Sequence, residues 1–474
     1  MRRLALLLAL ASLAIAFLLV PPQRSVGPPL RDFEAYYAAG QTWHYSGDPY
    51  GRDIWRAEKD VPGVIASRDE LLPFVGPPFG LPFWSILARL PWRGAATVWA
   101  MVLGLAFATV VLGSLALGRG RLRWFDAFAA LALAAAFAPL TGGIALGQVA
   151  LVSCAAIVAM PYVLRPHRTL GAAALALVAA LQPNLAIVLL ARLAESRTWI
   201  AYGCAALVAA GASALALGGP ATFLHYADVL HAQSFAERYS AIQTTPAAVA
   251  RAFGASAVVA DLIARAGALG CVIVLAVQAL RRRHTAAIRL ALACALVPLA
   301  LPFAHEHDFA IAFFPAFLLV LRARGAAWVT GATATIALGV DWLGLAQRPS
   351  ALAATVALAI AGACALVALV RESLRPYHAV PLLVAGPCVL VIGALAARHP
   401  LPIWPDALAT NYRAALHAAA ADVWHDEQLR SGIATLDPVW GILRAIPLAA
   451  CGLIWLIASR TLVAPPNALR TDAR

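Results

Sequence analysis

The sequence predicts an all-α polytopic membrane protein, a transmembrane helical bundle of about 12 spans plus one re-entrant hairpin. Three observations carry that prediction. Of 474 residues, 62% are hydrophobic and 12% charged, against about 25% charged in a soluble domain. Apolar runs of roughly 15 to 24 residues recur, close to the ~20 needed to cross a bilayer. The short turns between them are rich in arginine, as loops that set membrane orientation are.

Spans are expected near residues 4–20, 95–117, 125–140, 148–164, 198–217, 257–280, 286–301, 308–321, 326–344, 351–370, 380–397 and 440–459. Arg2 and Arg3 precede the first apolar run, which ends Leu18-Leu19-Val20-Pro21-Pro22. Lacking a clear small-residue cleavage site, it reads as an uncleaved span rather than a signal peptide. Arginines 2, 3, 119, 121, 123, 165, 168, 192, 197, 281, 282, 283, 289, 322, 324, 371 and 375 and the C-terminal tail are expected on the cytoplasmic side.

Two apolar segments fit that orientation only if they do not cross. Residues 71–91 carry prolines 73, 77, 78 and 82, which break helix repeatedly, and are expected to dip into the outer leaflet. Residues 170–192 are interrupted by Gln182-Pro183-Asn184. They read as two half-helices meeting at a polar break, a geometry tolerated only where protein or a water-filled cavity satisfies the backbone.

The whole chain, 1–474, then forms a single integral membrane domain with external loops 21–94, 218–256 and 398–439. Residues 21–73 alone hold eight of the 23 acidic residues, and 19 of the 23 fall on or near the external face. Acidic residues hardly direct insertion, so this sorting points to an external working surface.

The net charge of +13 is no sign of a nucleic-acid partner. The bases lie in inter-span loops, all arginine except Lys59, and no basic polar surface is left for nucleic acid. The seven cysteines all lie within apolar runs and form no C-x-x-C pair; they read as small buried hydrophobes.

The first candidate is Asp32, near the start of a helix, with Glu34, Tyr36 and Tyr37 beside it. Helical spacing puts Asp32 and Tyr36 on one face, although an aspartate at a helix start is also an ordinary N-cap. Asp48, in Gly47-Asp48-Pro49-Tyr50-Gly51, reads as a turn former. Gln148 follows Gly147 at the outer start of a span, placed either to donate to a sugar hydroxyl or phosphate or to cap a helix. His305-Glu306-His307-Asp308 offers a histidine to a phosphate or a carboxylate. No fixed set of metal ligands is evident there, and neither metal nor cofactor is expected. Arg265 and Arg444 lie inside the outer boundary, where an arginine is a functional candidate by default. Arg238 is the third candidate for a phosphate. Asp261 and Arg265, four apart, read as an i,i+4 pair. The span middles carry almost no ionisable groups, unlike a coupled transporter.

Taken together, Asp32-Phe33 with Tyr36-Tyr37-Ala38-Ala39-Gly40, Gly47-Asp48-Pro49-Tyr50, Pro77-Pro78-Phe79 and Gly147-Gln148 resemble glycosyltransferase family 87. These are integral-membrane enzymes of the C-type glycosyltransferase fold, a group that includes polyprenyl-phosphate-mannose-dependent mannosyltransferases. The resemblance spans roughly residues 28 to 320. It implies that Asp32 is the single catalytic base, that a mannose-like hexose or a pentose comes from a polyprenyl phosphate, and that transfer inverts the anomeric carbon. It implies a lipid or glycan acceptor, with Gln182 standing where the family often has lysine. It also implies a histidine at the outer end of a late span, His305 or His307. The expected location is the plasma (inner) membrane, with the site on the external, periplasmic side. A flippase for a lipid-linked glycan and a glycan ligase are the competing readings.

Overall fold

The computed structural model describes residues 1–20, 30–120, 122–163, 169–193, 196–219, 221–281, 284–370 and 380–462. Every regular element among them is helical. Arginines 121, 165, 168, 282, 283, 371 and 375 and the C-terminal tail, part of the orientation argument, lie outside the described residues.

Among the described residues, six helices are long and apolar enough to cross a membrane: Arg2–Leu19, Trp92–Arg119, Thr198–Ala216, Ala257–Leu280, Pro349–Ala368 and Pro438–Thr461. A seventh span arises if Trp124–Ala135 and Ala138–Leu146, bent by 68°, count as one. The single helix expected over 125–140 is thus broken. Ala136 leaves helical geometry and Phe137 is extended, and Pro139 stands in the first turn of the next helix, where its missing N–H breaks no hydrogen bond. The segment Thr141-Gly142-Gly143, which falls between two of the expected spans, is helical. Other expected spans appear as shorter helices, among them Ala150–Val163, Ala286–Leu296, Phe313–Arg322 and Gly325–Gly339.

Neither of the two segments expected not to cross forms one long helix. The Pro-rich stretch folds into Pro78–Gly80 and Leu81–Ala88. At about 1.5 Å per residue that is too short to span, and it exposes Phe83 and Ile86. Further on, the Thr169–Ala179 helix stops, and Pro183–Ala186 with Ile187–Arg192 begins after Gln182.

Small residues bring helices close. Ala5, Ala9, Leu13 and Ala16 form the buried stripe of the first helix, which packs chiefly against Leu352–Ala368. Without a hydrophobic driving force in lipid, such small faces allow the van der Waals contact that holds helices together. At one end of this pair Arg2 bridges Asp126 at 2.7 Å and donates to the Ala368 carbonyl at 2.8 Å. Arg322 donates to Leu117 and Arg119 to Leu369 at the same end.

The opposite end is polar and irregular. There the Phe33–His44 helix lies flat on Leu81–Ala88, with Gly40 against the Trp84 backbone, where any Cβ would collide. Asp48 forms the expected turn, its Oδ1 accepting the Tyr50 amide at 2.9 Å. A buried ionic network then ties residues 31–72 to 404–427. Arg31 bridges Glu34 and Glu70 at 2.5 and 2.9 Å, and its guanidinium lies 4.7 Å over the Trp404 ring. Glu427 accepts from the Leu71 amide and from Trp404 Nε1, both at 2.8 Å. Removing one partner of such a buried pair costs about 3–5 kcal/mol, so this end is held firmly.

Candidate active site

Where these elements meet, a cavity of ≈ 340 Å³ opens. Its placement begins with one turn. Gly147 ends the Ala138–Leu146 helix with φ +81°, a conformation that glycine adopts without a Cβ penalty. The chain before Asp32 hydrogen-bonds along this turn, Leu30 N–H to the Ala145 carbonyl at 3.2 Å and Asp32 N–H to Leu146 at 2.8 Å. Trp99 Nε1 fixes the Gly147 carbonyl at 2.8 Å, and the Trp99 ring stacks on Phe33.

Asp32 sits at the N-cap position of the Phe33–His44 helix but makes no capping hydrogen bond with its side chain. Its Oδ2 accepts instead from Gln148 Nε2, and both residues line the cavity. The ordinary N-cap reading of Asp32 therefore does not hold, nor does the helix-cap reading of Gln148. Burial raises the Asp32 pKa above the usual carboxylate range, against the opposing effects of the Gln148 hydrogen bond, His305 and Arg31. That shift moves a carboxylate toward working pH, as a general base requires.

Gly147→Ala tests this turn. A Cβ there would lie 2.8 Å from Phe33 Cβ and 3.0 Å from Leu30 Cβ, in a strained backbone conformation that costs about 1–3 kcal/mol. The variant is expected to melt earlier and to lose turnover. Unchanged melting and turnover would show that the turn does not position Asp32.

On the far wall, His305 begins the Glu306–Ala312 turn of 3-10 helix. Its Nε2 lies 3.3 Å from Glu237 Oε2 and its Nδ1 3.3 Å from the Ile242 carbonyl. His307 stacks against it with centroids 5.4 Å apart. Burial and the neighbouring His305 charge lower the His307 pKa well below its ordinary value. Asp308 turns back to the backbone, accepting from the His305 N–H at 3.0 Å and from Gln182 Nε2 at 3.3 Å. The half-helix break thus delivers Gln182 to the cavity floor, as its polar sequence suggests.

Six of the residues singled out from sequence therefore share the cavity: Asp32, Tyr36, Gln148, Gln182, His305 and His307. Five do not line it. Glu34 is fully buried against Arg31; burial pushes its pKa up to about 8, with Arg31 opposing. Tyr37 turns the other way, donating to the Leu90 carbonyl at 2.9 Å and packing on Trp92. Arg238 grips both oxygens of Asp261 at 3.0 and 2.8 Å, in place of the expected Asp261–Arg265 pair. Arg265 is exposed on the Ala257–Arg281 helix. Arg444 is buried, and its donors go to the Trp440, Ser240 and Gln243 carbonyls.

Sequence reasoning missed Glu237, Trp404, Trp424 and Arg348, all in the cavity wall. Arg348 lies between the spans expected over 326–344 and 351–370, and no local signal sets it apart from the other arginines on that side. It is exposed. Among the described residues lining the cavity it is the cation that no carboxylate holds, since Arg31 and His305 are both paired. No group of three or more His, Cys, Asp or Glu side chains among the described residues is arranged to hold a metal ion.

The family model described as glycosyltransferase family 87 matches residues 74–302. Residues 74–302 belong to glycosyltransferase family 87. No curated protein and no solved structure matches the chain. The family 87 segment contributes Gln148, Gln182 and Glu237 to the cavity, while Asp32, His305, His307 and Arg348 come from the flanking chain. A segment that matches a membrane glycosyltransferase family, together with several apolar helices long enough to cross a bilayer, is the pattern of a multi-pass membrane protein.

Proposed function

We propose that the chain transfers a sugar, a mannose-like hexose or a pentose, from a polyprenyl phosphate to a hydroxyl of a lipid or glycan. The observation that carries this reading is Asp32, a carboxylate freed from capping, aligned by Gln148 and turned into a cavity at the polar end of the bundle. Asp32 takes the proton of the acceptor hydroxyl. The hydroxyl oxygen forms the new bond to the anomeric carbon from the face opposite the phosphate, and the carbon–oxygen bond to phosphate breaks with its electron pair going to the leaving group. Phosphate leaves without an acid, so one carboxylate suffices, unlike the paired carboxylates of glycoside hydrolysis. Arg348 and His305 supply the positive charge that the departing phosphate needs. Trp404, Trp424 and Phe74 in the wall offer faces to the sugar and the acceptor. The arginine sorting favours a cavity on the periplasmic side of the plasma membrane.

The test is transfer by purified protein from a panel of polyprenyl-phosphate sugars and nucleotide sugars. Turnover is expected from a polyprenyl-phosphate donor alone. Transfer from nucleotide sugars only, or from none of the prenyl donors, would end this reading.

A further inference from the structure

Glu237 closes the Ala221–Glu237 helix and is buried. Its Oε1 accepts from Trp424 Nε1 at 2.6 Å and from Gln233 Nε2 at 3.0 Å. Its Oε2 accepts from Gln243 Nε2 at 2.7 Å and faces His305 Nε2 at 3.3 Å. Four donors from four stretches of chain converge on one carboxylate, leaving little acceptor capacity for a sugar or a proton in transit. The other nitrogen of His305 faces the Ile242 carbonyl at 3.3 Å. A carboxylate and a carbonyl are both acceptors, and only a doubly protonated ring donates to both; Gln243 Nε2 also lies 3.4 Å from His305 Nε2, but its shorter contact is its donation to Glu237 at 2.7 Å.

We propose that Glu237 is a positioning residue that fixes His305 as an imidazolium, so that His305 acts on the departing phosphate through its charge and not through a hydrogen bond. The effect on turnover rests on the glycosyltransfer reading; the Glu237–His305 pairing does not. The groups facing His305 are Glu237 from the preceding helix, Asp32 from the first loop, and Asp308 and His307 from its own turn. Burial opposes the charge, but the hydrogen bond and charge of Glu237, then Asp308 and Asp32, outweigh it and raise His305 to about 9. The sign follows. A raised histidine pKa contributes stability that is fully present below the unfolded value and lost as pH rises through about 9.

The experiment is NMR of the full chain in lipid nanodiscs with ¹⁵N-labelled histidine, the His305 signal being identified by its loss in His305→Gln. Both ring nitrogens are expected to be protonated at neutral pH. In Glu237→Gln, which keeps the shape and removes the charge, the midpoint should fall from about 9 toward the ordinary 6.5. The alkaline limb of turnover should move down with it. Trp424→Phe removes one donor from Glu237 and leaves its charge, so His305 must stay an imidazolium there; a neutral ring in that variant would assign the effect to packing and overturn the proposal. A neutral His305 in the native protein, or an unmoved midpoint in Glu237→Gln, overturns it as well. A shifted midpoint with an unmoved alkaline limb overturns the part concerning phosphate. An imidazolium in a protein that uses no polyprenyl-phosphate donor upholds the pairing and rejects the glycosyltransfer reading instead.

Discussion

Asp32→Asn is expected to slow sugar transfer by about 10²–10⁴-fold, the usual cost of losing a general base, while the protein folds and binds donor as before. Asparagine keeps the shape and still meets Gln148, but it cannot take a proton. The contrast with Glu34→Gln makes the experiment specific. Glu34 lies two residues away and holds Arg31 at 2.5 Å, so its loss loosens a buried pair and lowers the melting temperature, while turnover by the surviving fold persists. The raised pKa of Asp32 adds a second signature. Native turnover should fall as pH drops through a midpoint above the usual carboxylate range, and the Asp32→Asn residual rate should lack that limb. A native rate in Asp32→Asn together with a dead Glu34→Gln would move the base by two residues. Full activity in both would remove the base-catalysed mechanism.

Arg348→Gln is expected to cost about 10- to 100-fold in kcat/KM, the worth of one charge-assisted hydrogen bond of roughly 1.5–3 kcal/mol. The side chain is exposed and makes no ion pair among the described residues, so folding should be untouched. Arg348→Lys should recover part of the loss by restoring the charge without the fork that binds two oxygens. The same substitution should weaken binding of polyprenyl phosphate but not of the neutral prenol. Equal binding of both lipids by native and variant protein would mean that the phosphate is held elsewhere.

The legible parts of this site were those written in local signals. Gly147 and Pro183 mark backbone breaks by residue type alone, and the side chains next to them, Gln148 and Gln182, are delivered to the cavity. Helical period placed Asp32 and Tyr36 on one face, whereas Tyr37, also taken as a candidate, turns away from the cavity. The arginines were a different matter. Depth in the membrane does not reveal whether a guanidinium is free. Arg444 has its donors on carbonyls of Ser240 and Gln243, some two hundred positions away, and Arg238 is taken by Asp261. Glu237, Trp404 and Trp424 come from distant stretches whose convergence no short-range pattern encodes. The helical class was plain from composition and apolar runs. The bend between Ala135 and Ala138 was not, because hydropathy does not register a turn within a continuously apolar segment.

The stitching of residues 31–72 to 404–427 also sets a timetable for biosynthesis. Asp32 leaves the ribosome early, yet the Trp404 and Trp424 side of its cavity is made several hundred residues later. Until then Leu71 N–H lacks Glu427, Arg31 lacks the Trp404 ring, and the alanine seam of the first helix waits in lipid for Leu352–Ala368. The nascent chain therefore carries Asp32 before the wall of its cavity is complete. Competence arrives only when the last polar loop folds back over the first.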